Sequence, residues 1–69
     1  MSDNYYIRNV GRIAQLSYKR GVDWSVAVDL FDEENGGVQC DESQIGALRG
    51  EFYTYVRDRR YDEEGNEIN

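Results

Sequence analysis

Residues 23–42 read DWSVAVDLFDEENGGVQCDE, and whether the first half of this stretch coils or extends decides the fold. At helical spacing Trp24, Ala27, Val28 and Phe31 share one face, and Asp29, Asp32 and Glu33 share the other. Trp24, Val26, Val28 and Leu30 also alternate with Ser25, Ala27 and Asp29, and β-branched valines suit a strand. In that second reading Asn35-Gly36-Gly37 turns a hairpin into Val38-Gln39-Cys40. Two ends favour the helix: Asp23 is placed to cap its start, and Asn35-Gly36 to stop it. A helix from Trp24 to about Glu34 is therefore expected, with a mixed α/β fold carrying one short hairpin between two helices as the alternative.

Upstream, residues 4–19, NYYIRNVGRIAQLSYK, place Tyr6, Val10, Ile13 and Ala14 at helical spacing with Ile7 beside them, and Arg8, Arg12 and Lys19 on the opposite side. One amphipathic helix with a basic outer stripe is predicted, with Asp3 capping its first turn, Gly11 weakening it and Gly21 ending it. Downstream, Asp41-Glu42-Ser43-Gln44 has the form of a capping box, and Ile45, Leu48, Phe52 and Val56 follow on one stripe with Tyr55 adjoining. A third helix over 42–59 is expected. Gly46 and Gly50 disfavour it by about 1 kcal/mol each, so either another element packs closely on them or the helix ends near Gly50 and EFYTYVRD extends. Residues 61–69, an acidic stretch with little apolar content beyond Tyr61 and Ile68, read as a frayed tail or at most a short extended arm. The expected architecture is a single small domain spanning residues 1–69, mainly α, with three helices around Tyr6, Val10, Ile13, Trp24, Val28, Phe31, Ile45, Leu48, Phe52 and Val56.

Charge is distributed in blocks. The net charge is −6, and half of the fourteen acidic residues lie in residues 23–42, which hold no Lys or Arg. The flanking segments are net basic: residues 1–20 carry one acid against four bases, and residues 44–60 two against four. An acidic chain is repelled by phosphate backbones and anionic membranes, which argues against direct nucleic-acid binding and for a cationic partner surface.

The chemistry-bearing residues are few. With one cysteine, Cys40, and no histidine, the sequence offers no intrachain disulfide, no Cys/His zinc site and no imidazole base, and a reducing intracellular setting fits. The N-terminus lacks a basic segment followed by an apolar run, so no targeting or membrane segment is expected. The acidic glycine-containing loop fails the calcium-loop pattern: with Gly37 at the glycine position Asp32 opens the loop, but Ser43 stands where the bidentate glutamate belongs. Cys40 lacks a base to activate it, and no phosphate loop is present. No enzyme, cofactor or metal is expected.

What remains is the carboxylate array. Residues three or four apart on a helix sit ~5–6 Å from one another, close enough to imitate the charge density of a polynucleotide. Asp29, Asp32, Glu33 and Glu34, continued by Asp41 and Glu42, are accordingly the candidate partner-binding residues. Solubility alone also accounts for acidic surfaces.

In size, acidity, tyrosine content and the lysine-poor acidic clusters at 29–34 and 62–67, the chain resembles small phage-encoded inhibitors, particularly anti-CRISPR and anti-restriction proteins that mimic DNA. That resemblance implies a monomeric, non-enzymatic inhibitor in the cytoplasm of a bacterial host cell. Its partner would be a basic nucleic-acid-binding protein, such as the DNA-recognition subunit of a CRISPR effector complex. The alternative is a small regulatory interaction module, antitoxin-like or a transcription-regulator partner, acting through the Arg8, Arg12 and Lys19 face.

Overall fold

The computed structural model describes residues 4–37 and 42–68. Over them the chain is mainly helical: α1 (Tyr5–Arg8), α2 (Val10–Arg20), α3 (Trp24–Glu34) and α4 (Glu42–Arg57) precede an antiparallel hairpin of β1 (Arg60–Tyr61) and β2 (Glu67–Ile68). The expected mainly helical domain is observed. Residues 24–34 are helix, and no strand lies between two helices among the described residues.

The predicted first helix is broken in two at Asn9. Its side-chain amide donates to the Tyr5 carbonyl at 2.8 Å, and its backbone N–H bonds Tyr6 O, three residues back, at 3.1 Å. An asparagine that bonds its own backbone competes with the helical ladder, and here it ends one helix and begins the next. The cap of α1 is Asn4, whose Oδ1 accepts from Tyr6 N at 2.9 Å and Ile7 N at 3.1 Å. Asp3, the expected cap, lies outside the described residues, as does Asp41, the first residue of the expected capping box.

The ends of α2 and α3 follow the glycines. Gly21, at φ 65°, terminates α2. After α3, Gly36 N bonds Glu33 O at 3.4 Å and Gly37 N bonds Asp32 O at 2.7 Å, the paired pattern of a Schellman stop. At its start Asp23 takes the cap position, but its carboxylate accepts from the Ser25 hydroxyl at 3.0 Å in place of a backbone N–H.

α2 is the central element, packed on α3 and on α4, while α1 lies against α4. The buried core is Tyr6, Ile13, Ala14, Leu16, Ala27, Val28, Phe31, Leu48 and Phe52. Val10, Trp24 and Val56 pack on its margin, half-buried. Burying side chains such as Ile13, Leu16 and Leu48 contributes roughly 1.5–3 kcal/mol each. Leu16, which the apolar stripe of residues 4–19 left out, is 2% exposed.

Residues 60–68 are not frayed. Arg60 pairs with Ile68 and Tyr61 with Glu67, and the Asp62 carboxylate accepts from Glu64 N at 2.9 Å and Asn66 N at 2.8 Å to build the turn. Tyr61 stacks on Tyr18 of α2 with ring centroids 4.3 Å apart and planes 10° from parallel. Gly65 lies buried against α2, where a Cβ would run into the Gln15 carbonyl oxygen and come within 2.9 Å of Lys19 Cβ. The docking comes from one aromatic pair and one glycine, too little apolar content to register as a core segment in sequence.

Candidate partner-binding surface

The surface expected to carry function begins on α3, and its four acidic residues part company there. At about 100° per residue, Glu33 projects close beside Asp29, whereas Asp32 turns to one side and Glu34 well to the other. Asp29 and Glu33 are exposed. Neither enters an ion pair, so both charges face solvent.

Asp32 is a correction to the expected lattice. It is 8% exposed, and the hydroxyl of Tyr6, itself 1% exposed, donates to its Oδ1 at 3.1 Å and stands 3.3 Å from Oδ2. A carboxylate in the interior needs hydrogen-bond donors to offset lost hydration, and the α1 tyrosine supplies one. Asp32 follows core residue Val28 by one helical turn, which is the sequence signal that it faces inward.

Glu34 is also diverted. Its Oε1 lies 2.6 Å from Arg12 Nη2 of α2, with the two side chains 41% and 44% exposed. The contact clips α3 to α2 and cancels one charge of the expected array. Exposed at both ends, it contributes on the order of 0–1 kcal/mol.

Glu42 is exposed but belongs to the first turn of α4, a different element from α3. Asp41 lies outside the described residues. Of the five candidates among the described residues, Asp29 and Glu33 form a solvent-facing pair, Asp32 is buried, Glu34 is paired and Glu42 stands on another helix, so these five are not gathered into one lattice.

The basic stripe of the alternative reading is engaged by the fold only in part, and Arg8, Arg12 and Lys19 are all exposed. Arg12 is held by Glu34 and by the side-chain carbonyl of Gln15. The Arg8 guanidinium stands 5.9 Å from the centre of the Tyr5 ring, and Lys19 lies beside the docked Gly65. At the far end of α4, Arg59 covers the Tyr55 ring at 3.7 Å, bonds the Tyr55 carbonyl and pairs with Glu67 at 3.3 Å. Exposed acids without an ion pair recur at the hairpin turn, where Glu63 and Glu64 face solvent.

Among the described residues, no three or more His, Cys, Asp or Glu side chains gather in a metal-binding group. Among the same residues no helix is long and apolar enough to cross a membrane.

Compared with protein-family models, with curated proteins and with solved structures, the chain finds no match. The surface must therefore be read from its own chemistry.

Proposed function

We propose that the protein is a non-enzymatic inhibitor that docks an anionic face of α3 on the basic surface of a nucleic-acid-binding protein and blocks access of the polynucleotide. This is the role that the resemblance to anti-CRISPR and anti-restriction inhibitors implies. The observation that carries it is the pair Asp29 and Glu33, one helical turn apart, exposed and free of internal ion pairs while neighbouring Asp32 and Glu34 are engaged by the protein itself. A free carboxylate pair suits charge-assisted bonds to arginines built to hold phosphates. Long-range attraction from the net charge of −6 steers the encounter and makes it salt-sensitive.

The test is a bacterial strain carrying a CRISPR or restriction system, expressing this protein and challenged with a targeted phage. Plating should recover with the wild-type protein and collapse with Asp29→Lys/Glu33→Lys, the Arg12–Glu34 clip left intact. No recovery against any of a panel of such systems, or equal recovery with the reversed pair, would refute the reading.

A further inference from the structure

One exposed face is used by neither the core nor the α3 acid pair. Along α4, Glu42, Gly46, Tyr53 and Arg57 follow one another at spacings of four, seven and four residues, which places them on one stripe, with Gly50 between them. All five are exposed, Tyr53 at 52%. Beta-carbons built on Gly46 and Gly50 meet nothing within 4 Å. Glu42 makes no ion pair, and Arg57 has only the adjacent Asp58 at 3.6 Å, with side chains 74% and 79% exposed. The Tyr53 ring meets its neighbour Phe52 edge-on at 5.7 Å, yet about half of it stays exposed beside two helix-weakening glycines that the protein's own packing leaves uncovered.

The stripe is its own complement when reversed. Run two copies of α4 antiparallel about a two-fold axis between positions 49 and 50, and Glu42 of one copy faces Arg57 of the other, twice. Tyr53 of each then faces Gly46 of the other. This is the isologous arrangement of a two-fold interface, in which each residue meets a different one and is met by it in return. Charge complementarity is placed at both ends, and a ring is placed over a position without a side chain in the middle. We propose that α4 is a self-association surface, and that the occupant of this face is a second copy of the same chain.

The same geometry sets its strength. A contact confined to one helix of sixteen residues, about 24 Å long, falls short of the ~800 Å² per partner of a standard stable interface. Arg49 lies at the edge of the stripe near the two-fold axis, so like charges approach there. The dimer is accordingly weak, and it forms at high protein concentration and low salt.

Intramolecular pairing cannot imitate the test. Glu42 and Arg57 are fifteen residues apart on one helix, about 22 Å, beyond the reach of their side chains. In sedimentation at concentrations up to about millimolar, the wild-type chain should show a monomer–dimer equilibrium. Glu42→Arg alone and Arg57→Glu alone should each weaken it roughly tenfold, since each breaks both symmetric pairs and opposes like charges. An equimolar mixture of the two variants should associate again as a heterodimer, because every pair is then opposite in charge. Tyr53→Ala should weaken association with helicity by circular dichroism unchanged. A wild-type chain monomeric throughout this range, a mixture no more associated than its components, or a Tyr53→Ala variant that associates like wild type would each overturn the proposal. The plating assay with Asp29→Lys/Glu33→Lys leaves α4 untouched, so the two readings fail separately.

Discussion

Tyr6 and Asp32 show how a partner from another element reassigns a residue. The carboxylate would be one of four surface charges if α3 stood alone, but the hydroxyl donated from α1 lets it remain in the interior. Tyr6→Phe keeps the ring in the core and removes the donor, and should lower stability by about 1–3 kcal/mol, the cost of an under-satisfied buried polar group. Asp32→Asn retains an acceptor for Tyr6 and should cost less; urea denaturation of both variants checks the order. Tyr61 presents the opposite case. Its hydroxyl is buried without a hydrogen-bond partner, and its pKa is pushed up to about 12, first by desolvation and then by Tyr55 and Glu67, against the lowering effect of Arg59. The unfolded chain ionises near the ordinary tyrosine value, about 10, so above that value the unfolded state holds fewer protons than the folded one. Stability from Tyr61 is thus complete below about pH 10 and is lost as the pH rises toward about 12. Tyr61→Phe should flatten that alkaline decline in thermal-melt midpoints while leaving neutral stability unchanged or slightly higher.

At the scale of elements the glycines sort into different roles. Gly11 lies where α2 meets α4, and a Cβ there would approach the Tyr55 hydroxyl at 2.9 Å. At Gly46 and Gly50 the sequence allows close packing or a helix end, and neither is observed: their outward sides are open and α4 runs unbroken to Arg57. Gly46→Ala should therefore stabilise the monomer by up to about 1 kcal/mol through helix propensity, while filling the hollow that Tyr53 of a second copy would occupy. A higher melting temperature with weaker self-association is the expected pair of results. Gly65, at φ 78° and buried against α2, admits no side chain. Gly65→Ala should undock the hairpin and cost more than about 1 kcal/mol, seen as loss of amide protection over residues 60–68 with α2 to α4 still protected.

At the scale of the whole molecule, charge is arranged by what the fold leaves over. Arg12 of α2 is tied to Glu34 of α3, and Arg59, between α4 and β1, to Glu67 of β2. Asp29, Glu33, Glu63 and Glu64 carry no such pairing and supply an anionic exterior consistent with the net charge of −6. The proposed inhibition through this exterior should weaken steeply as salt rises from low to physiological levels, because exposed charges are screened over about 8 Å at physiological ionic strength. Plating recovery cannot vary salt freely, so the check is competition between this protein and duplex DNA for a purified effector across a salt series.

Local pattern by itself favoured helix over strand at 24–34, predicted a helix over 42–59 that is observed over 42–57, and gave the glycine stops after Arg20 and Glu34 and most of the core, because apolar periodicity and chain-ending residues act within a few positions. It also carried the block distribution of charge. The donor that meets Asp32, the Arg12–Glu34 clip and the docked hairpin were decided only in three dimensions. In each the side chain looks solvent-facing or helix-compatible along its own element. Its partner is a residue brought in from a different element, and no spacing rule within one segment encodes which faces will meet.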